Sequence, residues 1–207
     1  MSMGNERMGN LFVNQRGGRP PNGPLRDARR DPGTVYFAFK PEPDVIGQTV
    51  SVGNHLCARH ELTGSVRPSV LHMTICAIGY FPILPEGRVE TALEVADRLV
   101  AKPFEIILNR VRTYPNGKEK PPLVAFADSG VSRIDLFRYA LIADLRRNGF
   151  NVPKKLPDPH MTLFYDYRVI AEEPIDPIRW VVRDFVLVHS IYGEGRHELL
   201  GRWPLCG

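Results

Sequence analysis

The sequence predicts an α+β fold for most of its 207 residues. From residue 34 onward, short β-branched and aromatic runs typical of strands alternate with amphipathic stretches typical of helices. The order strand, helix, strand occurs in each half of this region. In each half, the second strand opens with the same tripeptide, His-Met-Thr, at residues 72–74 and 160–162. The two halves of the chain are therefore expected to have related structures.

Each predicted element rests on its own residues. β-branched and aromatic runs predict the strands, apolar residues three or four positions apart predict the helices, and Pro-Asn-Gly at 115–117 predicts a turn. In chain order we expect strand 35–40, helix 44–60, strand 71–80, helix 86–101, strands 104–114 and 123–127, helix 132–147, the strand that opens with the second tripeptide, and strands 180–190 and 198–203.

Two of these helices have a clear apolar stripe. In the helix at 86–101 the stripe consists of Val89, Leu93, Ala96 and Val100. In the helix at 132–147 it consists of Ile134, Phe137, Leu141 and Leu145. Ser132 with Asp135 resembles a capping pair at the start of the second helix, and an Asn-Gly pair ends it.

Residues 1–33 differ from the rest of the chain. They are rich in Gly, Pro and Arg and have no apolar periodicity. We therefore expect a disordered basic tail, followed by a single domain at residues 34–207. Two interpretations of this segment are open. Its arginines can bind along a phosphate backbone, or the segment is a disordered leader without a function. The net charge of +4 favours an anionic partner only weakly, because much of the excess lies in this tail.

The composition argues against several classes of protein. No apolar run approaches the length of a membrane span and the N-terminus lacks the apolar core of a signal peptide, so a cytoplasmic protein without a membrane partner is expected. We also expect the protein to be a monomer. Three scattered cysteines without a CxxC pair argue against a disulfide scaffold and a zinc site. The sequence has no HExxH motif, carboxylate cluster or Gly-rich phosphate loop. We therefore expect no metal and no other cofactor.

The repeated tripeptide carries the chemistry. In an extended strand residues i and i+2 lie on one face, so His72 projects with Thr74, and the methionine between them points into the packing. The same holds for His160 and Thr162. Two histidines can act as general base and general acid near neutral pH, and two hydroxyls can hold the non-bridging oxygens of a phosphate. This set suits cleavage of a phosphodiester without a metal, and the sequence does not show which histidine is the base.

Simpler interpretations stand beside this one. The motif residues are otherwise ordinary strand residues, since threonine is a good strand former. Cys76 shares the strand parity of Thr74, and it either borders the cleft or is a small buried residue. We interpret the remaining histidines as surface or packing residues: His55, His60, His189 and His197.

The pair of His-x-Thr motifs resembles the 2H phosphoesterase superfamily, and more narrowly its branch of 2′-5′ RNA ligase-like proteins and RNA 2′,3′-cyclic phosphodiesterases. The similarity extends to TVYFAFKPEPDV, VRPSVLHMTICAIGY and PDPHMTLFYD, and to the closing strands that begin near Arg179. It covers the chain from about Thr34 to the C-terminus. Many cyclic phosphodiesterases of this branch have an arginine three residues after the second threonine, where this chain has Tyr165.

The resemblance implies a bilobal fold of two related, mostly antiparallel sheets, with helices outside and a central cleft. It also implies an enzyme that hydrolyses 2′,3′-cyclic phosphate ends of RNA to 2′-phosphates, with the reverse reaction forming a 2′-5′ linkage. In this scheme the two histidines are catalytic and the two threonines bind the phosphate. Two alternatives remain open. One is a phosphodiesterase for a small 2′-5′ oligonucleotide or a cyclic nucleotide or sugar phosphate, and the other is an RNA-end-binding protein without turnover.

Four further residues are candidate substrate contacts. Tyr36 on the first strand and Arg133 near a helix start can stack on a base or bind a phosphate. Tyr165 occupies the position of the family's arginine, and Lys154 lies shortly before the second motif, where it can steer RNA. Core packing or a solvated surface charge is the alternative for each.

Overall fold

The structure, a computed structural model, describes residues 32–128 and 132–206. The tail predicted at 1–33 lies outside these residues except for Pro32 and Gly33. The side chain of Ser132, on which the predicted helix cap depends, also lies outside them. The described helices are α1 (Pro43–His60), α2 (Glu86–Asp97) and α3 (Ser132–Arg147), and a short 3₁₀ turn covers Pro68–Val70. None of these helices is long and apolar enough to cross a membrane.

Eight strands form one sheet in the described part of the chain. They are β1 (Gly33–Phe39), β2 (Met73–Phe81), β3 (Phe104–Thr113), β4 (Pro122–Phe126), β5 (Met161–Tyr165), β6 (Glu173–Val182), β7 (Asp184–Ile191) and β8 (Arg196–Pro204). Their spatial order is β6-β3-β4-β5-β2-β1-β7-β8, and every neighbouring pair is antiparallel.

The sheet consists of two related halves. One half has the order β2-β1-β7-β8 and the other the order β5-β4-β3-β6, so that the two motif strands lie side by side in the middle. Within each half, a strand, a helix and a motif strand follow one another: β1-α1-β2 and β4-α3-β5. The expected α+β fold with two related halves is thereby confirmed. The two expected sheets are the halves of one continuous, curled sheet.

The curl explains the one strand that the sequence pattern assigned incorrectly. The run predicted as a single strand at 180–190 is the end of β6 and most of β7, with Arg183 between them. These two strands lie in different halves of the sheet. The connection is short because the sheet curls: the Phe39 ring of β1 lies 5.6 Å from the Phe104 ring of β3 and 6.4 Å from the Trp180 ring of β6.

The main core lies between one face of the sheet and the helices. The stripe predicted on α3 is confirmed, because all four of its residues are buried. The helix predicted at 86–101 is too long, since α2 ends at Asp97 and Val100 is 75% exposed. Pro103 follows closely, and a proline disfavours helical dihedral angles at the residue before it. The proline thus prevents a longer helix through residue 102, and the observed end at Asp97 leaves Val100 outside the stripe.

Candidate active site

Both His-x-Thr motifs lie where the two halves of the sheet meet. Met73 and Met161 are opposite each other across β2 and β5, and both side chains are fully buried. Each motif histidine directly precedes the first residue of its strand. Because side chains alternate along a strand, burial of the two methionines turns their neighbours toward the open face of the sheet.

Each motif strand contains one unpaired residue directly after its threonine. The unpaired residues are Ile75 in β2, opposite β1, and Leu163 in β5, opposite β4. A bulge of this kind shifts the alternation of side chains by one position. The residue three positions after the threonine therefore returns to the cleft face. In β2 this residue is Ala77 and in β5 it is Tyr165, and both are exposed.

The same bulge removes Cys76 from the cleft. Simple alternation would place its side chain on the face of Thr74, yet only 1% of Cys76 is exposed and it belongs to the core. Burial raises the pKa of its thiol to about 12. The possibility that Cys76 borders the cleft is therefore wrong, and its interpretation as a small buried residue is correct.

Backbone carbonyl groups orient both motif histidines in the same way. Nδ1 of His72 lies 2.8 Å from the carbonyl oxygen of Val70, and Nδ1 of His160 lies 2.7 Å from that of Asp158. A carbonyl oxygen only accepts hydrogen bonds, so Nδ1 carries the proton and donates it in both rings. Nε2 of each neutral ring is then the atom that can take up a proton.

Each of these histidines also stacks on a tyrosine. The His72 ring lies 5.0 Å from that of Tyr36 in β1, with 28° between the planes. The His160 ring lies 5.2 Å from that of Tyr114, which follows β3, with 21° between the planes. One carbonyl and one tyrosine ring thus fix the orientation of each imidazole, and the arrangement occurs in both halves.

A cavity of about 450 Å³ opens at this site, within the size range of small-molecule sites. Residues that line it include His72, Thr74, Thr162, Tyr36, Tyr165 and His197. Within the described residues, neither threonine hydroxyl has a hydrogen-bond partner, so both are available to a ligand. His160 lies beside this lining, close enough for its charge to affect His72.

The surroundings of His72 favour its neutral form. Burial lowers the pKa of His72, the hydrogen bond to the Val70 carbonyl raises it in part, and the charges of Lys40 and His160 lower it further. A histidine with a lowered pKa is unprotonated near neutral pH and can accept a proton there.

A third histidine lies in the cleft, which the sequence pattern did not indicate. Nε2 of His197 in β8 lies 3.1 Å from the Tyr36 hydroxyl oxygen, and its ring lies 5.1 Å from that of His72. Burial lowers the pKa of His197 to about 3, and the charges of His72, Lys40 and Arg67 act in the same direction. The residues around His197 come from strands that are far away in the sequence. No local pattern therefore distinguished His197 from a surface or packing residue.

The other histidines lie outside the cleft lining. His189 is buried and His55 is exposed, while Nε2 of His60 lies 2.9 Å from Oε1 of Glu173. Within the described ranges, no three His, Cys, Asp or Glu side chains group as a metal site would need.

Two of the four candidate substrate contacts lie in the cleft and two do not. Tyr36 and Tyr165 line it with His72. Arg133 lies at a separate hollow beside Leu99 and Phe104. Lys154 lines another hollow, of about 620 Å³, which also contains Asp158 and Pro159 from the approach to the second motif.

Comparison with solved structures identifies the fold. E. coli LigT in complex with 3′-AMP superposes with a TM-score of 0.68 at 18% identity, covering 86% of this chain and 100% of LigT. A second structure, of a phosphoesterase, superposes with a TM-score of 0.67 at 17% identity, covering 86% of this chain and 100% of the phosphoesterase. The protein TT0787 of Thermus thermophilus superposes with a TM-score of 0.67 at 22% identity, covering 84% of this chain and 98% of TT0787. No protein-family model and no curated protein matches the sequence. The chain therefore has a LigT-like fold, which agrees with the fold that the resemblance of its paired His-x-Thr motifs implied.

Proposed function

We propose that this protein is a phosphodiesterase that opens 2′,3′-cyclic phosphate ends of RNA to 2′-phosphates. The matched geometry of the two His-x-Thr units supports the proposal most directly. In each unit Nδ1 of the histidine is hydrogen-bonded to a backbone carbonyl and the ring stacks on a tyrosine. No other described residue forms a hydrogen bond with either threonine hydroxyl, so both can bind phosphate oxygens. E. coli LigT, which shares the fold, is known in complex with 3′-AMP, a nucleotide with its phosphate on the ribose.

The reaction needs one proton acceptor and one proton donor. Nε2 of one histidine takes a proton from water while the water oxygen attacks phosphorus. The bond from phosphorus to O3′ breaks, and Nε2 of the other, protonated histidine gives its proton to O3′. The hydroxyls of Thr74 and Thr162 donate to the non-bridging oxygens, where negative charge increases in the transition state. A 5′-hydroxyl in place of water leads to a 2′-5′ linkage by the same steps.

The two histidines have different roles in this proposal. His72 is partly buried, which disfavours its imidazolium form, and the charges of Lys40 and His160 disfavour that form further. It therefore suits the general base that activates water. His160, on the other side of the phosphate, then protonates the leaving oxygen. In this proposal Tyr165, which lines the cavity and is 55% exposed, contacts the nucleoside. Tyr36 is buried and supports the His72 ring from within the cavity wall.

Turnover on a set of substrates tests the proposal. The substrates are a short RNA with a 2′,3′-cyclic phosphate end, a 2′,3′-cyclic mononucleotide and a 2′-5′-linked dinucleotide, with product phosphates located by phosphorus NMR. We expect the cyclic RNA end to yield a 2′-phosphate with the highest kcat/KM of the three substrates. We also expect the active protein to be a monomer. Preference for one of the small substrates would support a small-nucleotide phosphodiesterase. Tight binding of the RNA end without product would support the binding protein.

A further inference from the structure

Arg67 is a cation at the cleft that the proposed chemistry does not use. It precedes the 3₁₀ turn at Pro68–Val70 and lines the same cavity as His72, Thr74 and Thr162. One guanidinium nitrogen, Nη2, donates to the carbonyl oxygen of Gly195 at 3.0 Å. Among the residues that the structure describes, no carboxylate lies within ion-pair distance of Arg67. Its charge is therefore available to an anionic ligand.

The turn between β7 and β8 holds this guanidinium in place. Gly195 has a φ angle of +57°, a left-handed backbone conformation that residues other than glycine rarely adopt. A Cβ atom at this position would also collide with the Arg67 guanidinium. The absence of a side chain thus creates the space in which the Arg67 head lies against the turn, at the end of the cavity that His197 lines.

The positive charge at this end of the cavity does not depend on His197. The lowered pKa of His197 keeps it neutral, and the charge of Arg67 contributes to that shift. An arginine stays protonated throughout the working pH range. The cavity therefore combines His72, the two motif threonines, the side chain of Tyr165 and a permanent cation, and His160 lies beside it.

We propose that Arg67 binds a second phosphate of the substrate, on the 5′ side of the terminal nucleotide. This inference rests on the proposed function and specifies its substrate class. The planar guanidinium matches the geometry of phosphate oxygens. Its hydrogen bond to Gly195 uses Nη2, and the other two nitrogens have no hydrogen-bond partner in the part of the chain that the structure describes. In this arrangement the cyclic phosphate lies between the two motifs, the nucleoside lies against Tyr165, and the 5′ phosphate extends toward Arg67 along the shared cavity. The preferred substrate is thus a terminal nucleotide that carries a 5′ phosphate, as within an RNA chain.

Two cyclic nucleotides that differ only in this phosphate test the inference. One is adenosine 2′,3′-cyclic phosphate and the other is its 5′-phosphorylated form. In the Arg67→Ala protein we expect kcat/KM for the 5′-phosphorylated substrate to fall about 10- to 100-fold. The fall for the unphosphorylated substrate should be at least several-fold smaller. Arg67→Lys should recover part of the difference, since it restores the charge without the planar fork.

The matched control is Arg147→Ala, which removes the same charge from an exposed position at the end of α3. This control variant should leave kcat/KM for both cyclic nucleotides at the wild-type level. An equal loss on both substrates in Arg67→Ala would show that Arg67 acts on the reacting phosphate, and no loss on either would show that it binds nothing. Each of these two results overturns the inference.

A binding measurement separates this inference from the proposed function. Calorimetry compares adenosine 3′,5′-bisphosphate with adenosine 3′-monophosphate, neither of which has a cyclic phosphate to open. We expect the wild-type protein to bind the bisphosphate more tightly and Arg67→Ala to lose that advantage. If the wild-type protein turns over no cyclic phosphate but shows this binding pattern, the proposed function is wrong and the inference about Arg67 still holds. A wild-type protein without the preference contradicts the Arg67 site.

Discussion

Met73 lies directly opposite Met161, and this is the one residue pair that joins β2 to β5 in the described sheet. Both methionines are fully buried. The histidine and threonine on either side of each methionine consequently face the open side of the sheet, one set from each half. The core contact between the two methionines therefore sets the relative position of the two catalytic units.

Replacing either motif histidine by alanine should abolish most of the turnover. Removal of a general acid or base typically lowers the rate about 10²- to 10⁴-fold. We expect kcat to fall by this amount in His72→Ala and in His160→Ala, with thermal unfolding close to that of the wild type. Retention of near wild-type kcat in either variant contradicts the two-histidine mechanism.

Replacing the motif threonines by valine should lower kcat/KM about 10²- to 10³-fold, because each change removes one donor to the transition state. Valine keeps the shape and the strand preference of Thr74 and Thr162. Thr91→Val on α2 is the matched control, since the Thr91 hydroxyl donates to the Gly87 carbonyl outside the cleft. If the motif variants match this control in kcat/KM, the two threonines serve only as strand residues.

Activity should survive an excess of EDTA and show a bell-shaped dependence on pH. The two His-x-Thr units supply both proton-transfer groups and both phosphate donors, so the proposed steps need no metal. The general base must be neutral, so activity is lost as the pH falls through the pKa of His72. Because that pKa is lowered, the acidic limb of kcat/KM should lie below the ordinary histidine value of 6.5. Loss of activity in EDTA that added Mg²⁺, Mn²⁺ or Zn²⁺ restores would contradict the mechanism.

Asp166, directly after β5, should stabilise the protein in a pH-dependent way. Burial alone would raise the pKa of Asp166, but hydrogen bonds from the backbone of Arg168, Thr63 and Gly64 and from the Thr63 hydroxyl lower it to about 2. Since the folded value is below the ordinary 3.8, this stabilisation is complete above about pH 4 and is lost as the pH falls through 2.

The Asp166→Asn variant tests this expectation by urea unfolding at several pH values. At pH 7 the free energy of unfolding should fall by about 1 to 3 kcal/mol, because charged hydrogen bonds to a buried carboxylate are lost. The difference from the wild type should shrink between pH 4 and pH 2. Asp176→Asn, at an exposed position in β6, is the control and should change little. A difference that stays constant with pH would show that the Asp166 charge does not stabilise the fold.

Removal of residues 1–31 should leave thermal unfolding and hydrolysis of a cyclic mononucleotide unchanged, because this segment lacks the apolar content to pack. Pro32 and Gly33 must be kept. The Pro32 carbonyl accepts a hydrogen bond from Tyr192 N at 2.9 Å, and Gly33 pairs with both neighbours of β1. Affinity for longer RNA should fall and depend less steeply on salt, since arginines are lost. A large drop in the melting temperature would place the domain boundary further upstream.

The sequence by itself determined the α+β class, the bounds of most elements and the four motif residues. These properties are local: periodicity predicts a helix or a strand within a short window, and the spacing of His and Thr within a motif decides which of them share a face. α3 illustrates this, because its bounds and its four buried residues agree with the pattern. The local pattern was misleading at Val100, because the helix had already ended at Asp97.

Only the tertiary structure decided which residues surround the motifs. The bulges after the two threonines depend on pairing with β1 and β4, so no local pattern places Cys76 in the core or Tyr165 at the cleft. His197 and Arg67 come to the cleft from β8 and from the segment before the 3₁₀ turn. Their positions depend on strand order, on the β7–β8 turn and on the curl of the sheet. These are contacts between residues far apart in the chain, and they form only when the whole sheet assembles.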